Sequence, residues 1–297
     1  MKKYSQSLLL LIVVAISITS CKKSNSNSPA AGSGTLLSEY ILLDTTQALG
    51  KDTLSITYLT YDNLKRLNTV SYIFFTNYVR DAGSYSTRIF FYNGTDTLYD
   101  KQIAAVLEAG PSPEAHNDTD YISYDSQGRI IKDIDNGSFP LAGTAYTKEE
   151  DYSYIGSTVI NNQIDPIDGN AQDTVTQTVS NGNVVSQVDT YNNTCTISLD
   201  SHPNPFFKNG CSVTPIYAMY FDYYDADGID DDVQKNNCTI FSVDDLTGNV
   251  NHVINQFTYN ANGYPASVIQ YNTFQTYQAA GPTGTLEFNF KGIYIYQ

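Results

Sequence analysis

Basic residues are scarce in this sequence. There are 16 Lys and Arg against 31 Asp and Glu, which gives a formal net charge of −15 at pH 7. Proteins that bind nucleic acids contact the phosphates through clustered Lys and Arg. The composition therefore argues against a nucleic-acid partner, and an acidic balance of this kind otherwise indicates a solvated surface.

Histidine and cysteine are also scarce. The three histidines, His116, His202 and His252, are scattered, and no Ser-His-Asp or Cys-His arrangement stands out among them. None of the four cysteines has C-x-x-C spacing. A structural zinc site and a thioredoxin-like motif are therefore not expected.

Cysteines 195, 211 and 238 are an odd set, so at most one disulfide can form among them. Export would permit such a bond. The pair Cys195–Cys211 closes the shortest loop, and we predict that pairing.

Long hydrophobic runs are absent apart from one near the start. Met1-Lys2-Lys3 precedes an apolar run from Leu8 to Ile16, which is too short for a membrane span. This order of charge, apolar run and small residues predicts a signal peptide over residues 1–20. Ile18-Thr19-Ser20-Cys21 resembles a bacterial lipobox, which implies diacylglycerol on the Cys21 sulfur, cleavage before Cys21 and acylation of the new amino terminus.

Residues 21–35 are predicted to be the lipidated Cys21 and a flexible tether, because Lys22 to Gly34 is rich in Ser, Asn, Gly and Ala. A flexible chain of about 13 residues spans roughly 20 Å root-mean-square. Several acyl chains anchor a protein stably. The chain is therefore expected to be exported and held to the outer membrane by its lipid, with residues 36–297 as a β-rich extracytoplasmic domain.

The domain is rich in residues that favour β-strands. There are 25 Tyr and 13 Phe, and β-branched and aromatic runs alternate with Asn-, Asp- and Gly-containing turns. Phe257 to Tyr271 reads as a hairpin, with Gly263 in the turn and Pro265 at the start of the return strand. Lys101 to Ala109 looks helical, residues 108–120 read as a loop, and 286–290 with 293–296 read as a hairpin about Lys291-Gly292.

The fold class that follows is all-β: an antiparallel hairpin meander forming a curved sheet, or a partly closed barrel or sandwich. Tyrosine also suits contact with a glycan or a partner. The simpler interpretation, which we favour, is that the tyrosines line half-exposed sheet faces.

One turn unit recurs with the form Tyr-Asp/Asn-x-x-Gly-x. Its four copies are at residues 61–67, 124–130, 224–229 and 259–264. Lys65 replaces the glycine in the first copy, which predicts either backbone strain there or a different turn.

The unit resembles the tyrosine–aspartate (YD, Rhs-like) hairpin. Residues 120–275 more specifically resemble a group of Bacteroidota lipoproteins of unknown function, in which a Pro-Asn-Pro-Phe loop, an Asn-Asn pair and a Tyr-x-x-x-Gly-Tyr-Pro hairpin follow one another. Here those elements are residues 200–206, Asn236-Asn237 and Tyr259 to Pro265. The resemblance implies a curved antiparallel sheet or partly closed barrel, and it supplies no catalytic residue.

Clustered carboxylates mark one loop. Asp225, Asp227 and Asp230 alternate in the way that calcium ligands do, and a hard cation would relieve their repulsion. The spacing fails the EF-hand pattern, so the alternatives are a calcium site and an exposed acidic hairpin loop. No other cofactor is expected.

The leading interpretation is a lipid-anchored protein of the cell envelope, a structural or interaction module without catalytic activity, with the membrane as one partner and a glycan or an envelope protein as another. The first alternative is a carbohydrate-binding accessory lipoprotein. The second is a hydrolase with an unmarked active site, since 31 acidic residues offer many carboxylate pairs. A transmembrane barrel ranks last, because it needs strands of about 9–11 residues with a lipid-facing apolar side, and the strands read from the sequence are mostly shorter and rich in Thr, Ser and Asn.

Overall fold

The structure, a computed structural model, describes residues 36–45, 53–76, 79–108, 114–139, 144–165, 171–205, 235–244, 249–278 and 281–297. Over these ranges the chain forms sixteen strands. They are β1 Leu37–Asp44, β2 Thr53–Tyr61, β3 Leu67–Thr76, β4 Val79–Tyr92, β5 Tyr99–Glu108, β6 Glu114–Tyr124, β7 Ile130–Phe139, β8 Thr144–Ile155, β9 Thr158–Asp165, β10 Ala171–Ser180, β11 Asn183–Val188, β12 Thr194–Pro203, β13 Asn236–Asp244, β14 Asn249–Tyr259, β15 Pro265–Gln278 and β16 Gly281–Tyr296.

The first and last strands close the sheet into a barrel. Each strand pairs antiparallel with its neighbours in sequence, and β1 pairs with β16, where Ile41 lies opposite Ile293. The Gln297 N–H donates to the Leu36 carbonyl at 3.0 Å beside this seam. The predicted all-β antiparallel meander is therefore confirmed, and the sheet closes fully.

The recurring turn is held by its acidic residue. Asp125 Oδ1 accepts hydrogen bonds from the backbone N–H groups of Gln127 (2.8 Å) and Arg129 (3.0 Å), and Gly128 adopts φ +76°. The Arg129 Nε donates to Asp125 Oδ2 at 2.7 Å. These bonds, the Arg129 backbone amide first, lower the pKa of Asp125. Each fixed residue of the unit thus has a geometric role.

The other described copies use the same geometry. Asp62 accepts from the backbone N–H groups of Leu64 and Arg66, both at 2.9 Å, and Lys65 takes the glycine position with φ +62°. The sequence predicted either backbone strain at Lys65 or a different turn. The structure has the same turn, with Lys65 in the left-handed conformation. The copy at residues 224–229 lies outside the described residues.

The hairpin predicted at Phe257 to Tyr271 is confirmed. Asn260 Oδ1 accepts from the backbone N–H groups of Asn262 (2.9 Å) and Tyr264 (3.1 Å), and Gly263 has φ +78°. Pro265 begins β15, as predicted. A register shift at Tyr259 marks the bulge that this turn requires.

One further turn of this kind was not predicted. Asp189 Oδ1 accepts from the N–H groups of Tyr191 and Asn193, and Asn192 has φ +65°. It contains neither the preceding Tyr nor the Gly, so the sequence pattern misses it.

The tyrosines beside the turns tie neighbouring hairpins together. Each of five tyrosines at or near the end of an even-numbered strand donates its hydroxyl to the carbonyl of the first residue of the preceding strand. The donor–acceptor pairs are Tyr61–Leu37 (2.6 Å), Tyr92–Leu67 (2.8 Å), Tyr124–Tyr99 (2.6 Å), Tyr154–Ile130 (2.8 Å) and Tyr296–Pro265 (2.8 Å). Arg66 and Arg129 also lie over the rings of Tyr92 and Tyr154, each in the next hairpin, at 4.2 and 4.1 Å.

Apolar side chains fill the barrel at the end that carries these turns and the Leu36–Gln297 contact; we call it the packed end. One buried cluster there draws on strands from β1 to β9 and on β15 and β16, which is possible only if its members point inward. Its members include Leu37, Leu67, Tyr99, Ile130, Val159, Tyr264 and Tyr296. The idea that the tyrosines line half-exposed faces is wrong for Tyr40, Tyr99, Tyr152, Tyr264, Tyr294 and Tyr296, which are buried.

Three local interpretations of the sequence are wrong. Residues 101–108, read as helical, belong to β5, and β6 begins at Glu114 within the segment read as a loop. Residues 281–296 form one continuous strand rather than a hairpin about Gly292. Gly292 is needed because a Cβ there would overlap the Tyr40 ring. Within the described ranges, no helix long and apolar enough to cross a membrane is present.

One copy of the turn has Lys65 at the left-handed position and another has Gly128. Substitutions at these two positions are therefore expected to change the stability of the barrel in opposite directions. A left-handed lysine is strained by about 1–2 kcal/mol, whereas glycine costs roughly 0.5–1 kcal/mol of chain entropy. We expect Lys65→Gly to stabilise the barrel by about 0.5 kcal/mol and Gly128→Ala to destabilise it by about 1 kcal/mol. Urea unfolding measures both. A destabilising Lys65→Gly would contradict the shared geometry.

Candidate functional site

Polar side chains line the barrel beyond the packed end. Strand alternation points them inward, and several are almost fully buried. The buried polar residues on β5 to β11 are Gln102, Asp120, Asp133, Asn161, Gln163, Gln177, Asn183 and Gln187. Asp118, Asp135, Tyr146 and Glu150 point the same way from β6, β7 and β8, since they alternate with outward residues. We call the inward groups on β5 to β9 the lumen cluster.

The centre of the lumen cluster is a pair of carboxyl groups. Asp120 and Asp135 are direct cross-strand partners, with Gln102 and Lys148 as the next partners on either side. The Gln102 side-chain amide donates to Asp120 Oδ2. Two carboxyl groups so close cannot both ionise at little cost, because like charges repel strongly in a poorly solvated site.

A tyrosine hydroxyl holds the second carboxyl in place. Tyr146 Oη lies 3.1 Å from Asp118 Oδ1 and 3.3 Å from Asp135 Oδ2. Gly137 faces this contact, and a Cβ at that position would overlap Tyr146 and Asp118. Glycine in the middle of β7 therefore makes room for the site, at a cost in strand stability.

Burial and mutual repulsion shift the pair toward its protonated form. Burial and the nearby Asp133 raise the pKa of Asp120 to about 6. Burial and the charges of Asp120 and Asp118 raise the pKa of Asp135 to about 7. The two groups also hydrogen-bond each other, so near neutral pH they share one proton and titrate as a pair.

A second branch of the lumen cluster is centred on Glu150. Lys148 Nζ lies 2.8 Å from Glu150 Oε1, and Asn161 Nδ2 donates to Glu150 Oε2 at 3.1 Å. The Tyr152 hydroxyl donates to the same oxygen. Burial and the Glu150 charge raise the pKa of Tyr152, so this phenol stays a donor. The Asn161 side chain is fully buried, and its Oδ1 has no protein donor.

This arrangement is rich in acceptors and can bind groups that donate hydrogen bonds. Carboxylates, amides and tyrosines are suited to hydroxyl and ammonium groups. No group of three or more His, Cys, Asp or Glu in the described part of the chain is placed to hold a metal ion. The hydrogen-bonded Asp120–Asp135 pair is also too close for glycoside hydrolysis, which needs carboxyl groups roughly 5–10 Å apart.

The family-like motifs meet at the packed end. The His202 and Tyr259 rings stack with centroids 3.8 Å apart, and Asn237 Nδ2 donates to Asp200 at 3.2 Å. The Tyr259 hydroxyl also donates to Asp200. Asn236 Nδ2 reaches the His202 carbonyl at 3.1 Å. The three sequence elements thus form one hydrogen-bonded cluster at the end of β12 and the start of β13.

Most predicted site residues lie outside the described ranges. Cys21, Cys211, Asp225, Asp227 and Asp230 all do, so lipidation, the Cys195–Cys211 disulfide and the calcium loop stay predictions. Cys195 itself is fully buried on β12, where burial raises the pKa of its thiol.

Sequence reasoning missed the lumen cluster, although a signal was there. Asp118 and Asp120 are two residues apart, as are Asp133 and Asp135, on either side of the turn at Asp125 that the sequence does predict, although residues 108–120 were read as a loop. Residues two apart share a face of a strand. Paired Asp-x-Asp segments flanking one turn therefore place four carboxylates on a single face.

Comparisons with known proteins find similarity among solved structures. No family model matches the chain, and no curated protein does. Among solved structures, a porin-like protein from Bacteroides uniformis is similar at 13% identity and a TM-score of 0.49, covering 91% of this chain and 100% of its own. A porin-like protein from Bacteroides vulgatus is similar at 7% identity and a TM-score of 0.38, with 88% and 98% covered. At these values neither bears on function.

The shared proton predicts how stability depends on pH. Carboxyls whose pKa is raised in the folded state stabilise it below their unfolded pKa of about 4 and lose that contribution as pH rises through 6 to 7. We expect the melting temperature to fall between about pH 4 and 7, and Asp135→Asn to flatten that fall. Thermal melts at a series of pH values measure this dependence, with the outward Thr176→Asn as the matched control. An unchanged slope in Asp135→Asn would contradict the shared proton.

Proposed function

We propose that the protein is a lipid-anchored barrel of the cell envelope that acts as a structural or interaction module and not as an enzyme. The observation that carries the proposal is where the chain enters the barrel. β1 begins at Leu37, at the packed end, directly after the predicted tether that leads back to Cys21. A lipid on Cys21 would hold the barrel by that end.

The chemistry of the outer wall supports anchoring over a membrane-spanning role. Strand length does not decide the matter, because strands such as β15, with 14 residues, are long enough to span, contrary to the expectation from sequence. On the outer side, however, Lys132 contacts Glu149 and lies 3.4 Å from Asp151. A lysine that faces lipid costs about 2–4 kcal/mol at the bilayer midplane, and a carboxylate costs less.

The lumen cluster supports an interaction role without chemistry. Its carboxyl pair is internally hydrogen-bonded, and its lysine is already paired with Glu150. A nucleophile with an adjacent base, which covalent catalysis requires, is not formed by the cluster's described contacts. Calcium at Asp225, Asp227 and Asp230 remains a separate prediction.

The anchoring proposal is tested by removing the lipidated residue. We expect Cys21→Ala protein, expressed with its complete signal sequence, to lose its acyl mass and to move from the membrane fraction to the soluble fraction after cell lysis. Ser24→Ala, in the same tether with Cys21 intact, is the matched control. Cys21→Ala protein that stays in the membrane fraction would refute lipid anchoring.

A carbohydrate ligand in the lumen is the second candidate function. It is favoured by one observation: carboxylates, side-chain amides and two tyrosines face the same inner wall, a combination suited to sugar hydroxyls. We expect an oligosaccharide array to identify a binder whose affinity drops about tenfold in Tyr146→Phe, which loses a hydrogen bond to carboxylates.

The control for that measurement is Thr147→Val, the outward neighbour of Tyr146 on β8. Equal losses in both variants, or no binder at all, would remove the carbohydrate interpretation. Release of reducing ends from a bound oligosaccharide would instead favour the hydrolase alternative.

A further inference from the structure

The outer wall of the barrel has an apolar side. Cross-strand pairing places four isoleucines in one row: Ile293 of β16 opposite Ile41 of β1, Ile41 opposite Ile56 of β2, and Ile56 opposite Ile73 of β3. Directly opposed side chains on one face of a sheet touch one another. The row is therefore a continuous apolar strip across four strands.

The strip faces away from the lumen. Tyr40, Leu42 and Tyr294, which alternate with Ile41 and Ile293, are buried in the packed-end cluster inside the barrel. Successive residues of a strand point to opposite faces. The four isoleucines are all partly exposed, as an outer sheet face should be.

Neighbouring rows widen the strip. Tyr58, which is 38% exposed, and Ile295 flank Glu39 in the next row. One row further toward the packed end, past the Ser71–Thr87 pair, Ile89 lies opposite Ile103 on β4 and β5. We call this surface the apolar sector. Its members are Ile41, Ile56, Tyr58, Ile73, Ile89, Ile103, Ile293 and Ile295.

The far side of the wall, formed by β8 to β12, is of different chemistry. On β8 to β12 the corresponding outward positions carry Glu149 and Asp151 and then rows of Thr, Ser and Asn. These residues are Asn162, Thr174, Thr176, Thr178, Ser186, Thr196 and Ser198. The apolar sector and β8 to β12 therefore differ in chemistry, with Ile155, Ile160, Ile164 and Val188 as apolar exceptions on β8 to β11.

The position of the tether indicates which surface contacts the apolar sector. β1 lies within the sector, and residues 21–35 lead from Leu36 back to Cys21. A flexible chain of about 15 residues spans roughly 20 Å. We propose that the apolar sector rests on the lipid surface to which Cys21 holds the protein, so that the barrel lies on its side with β8 to β12 facing away. This rests on the proposed lipidation.

Two charged residues beside the sector, Glu39 and Lys291, are compatible with that contact. Burial raises the pKa of Glu39, whose cross-strand neighbours are Ile295 and Tyr58, so its charge is already disfavoured there. Lys291 pairs across the seam with Leu43, and a lysine can extend its ammonium group toward lipid headgroups. The negative charges of Glu149 and Asp151 lie on the far side, away from anionic lipid.

The test places a photoreactive group on each side of the barrel. Full-length lipidated protein carrying Ile56→p-benzoylphenylalanine or Tyr58→p-benzoylphenylalanine is reconstituted in vesicles of phosphatidylethanolamine and phosphatidylglycerol and irradiated. Thr176→p-benzoylphenylalanine is the matched control. Mass spectrometry counts phospholipid adducts, and thermal melts verify that each variant is folded.

We expect phospholipid adducts at Ile56 and Tyr58 to exceed those at Thr176 by at least about fivefold, because only the apolar sector would contact lipid. Equal yields on both sides would overturn the proposal, since the barrel would then be turning freely on its tether. Links between two protein copies at Ile56 would overturn it in favour of a dimer. Failure of lipidation appears separately, as wild-type protein that lacks acyl mass and does not float with vesicles.

Discussion

The pairing of β1 with β16 is the contact on which the rest of the structure depends. Without it the sheet would have two exposed edges with unpaired N–H and C=O groups. With it, every described strand has two neighbours, and alternation divides the chain into an inside and an outside. The packed end, the lumen cluster and the apolar sector exist only because of that division.

The packed end shows how a local turn and a distant contact cooperate. Asp125 and Arg129 fix their turn from within five residues, while Arg129 reaches the ring of Tyr154 in the next hairpin. Tyr154 in turn donates to the Ile130 carbonyl, where β7 begins. Because each hairpin of this part of the wall is fastened to the one beside it, the weak repeat in sequence becomes a strong repeat in three dimensions.

The sequence predicts what is local and misses what is not. The turns at Asp125 and Asn260 are specified by adjacent residues, so the hairpins and the all-β class were predictable. The β1–β16 seam joins residues between 246 and 259 positions apart, and no short pattern encodes it. Gly292 was read as a turn because its true reason, the Tyr40 ring, belongs to another strand. The Asp120–Asp135 pair was visible only as two Asp-x-Asp segments, whose meeting depends on register.

Charged residues occupy different environments on the inner and outer faces of the barrel wall, and this difference limits which groups each face can contact. Inside, carboxyl groups are held together and kept partly protonated by burial, so the lumen is suited to neutral or cationic donors. Outside, Lys132 contacts Glu149 and lies 3.4 Å from Asp151 on β7 and β8, while a row of four isoleucines crosses β16 and β1 to β3. A barrel that spanned a bilayer would need the apolar chemistry around its whole circumference. Having it on one side suits a protein that lies against a surface.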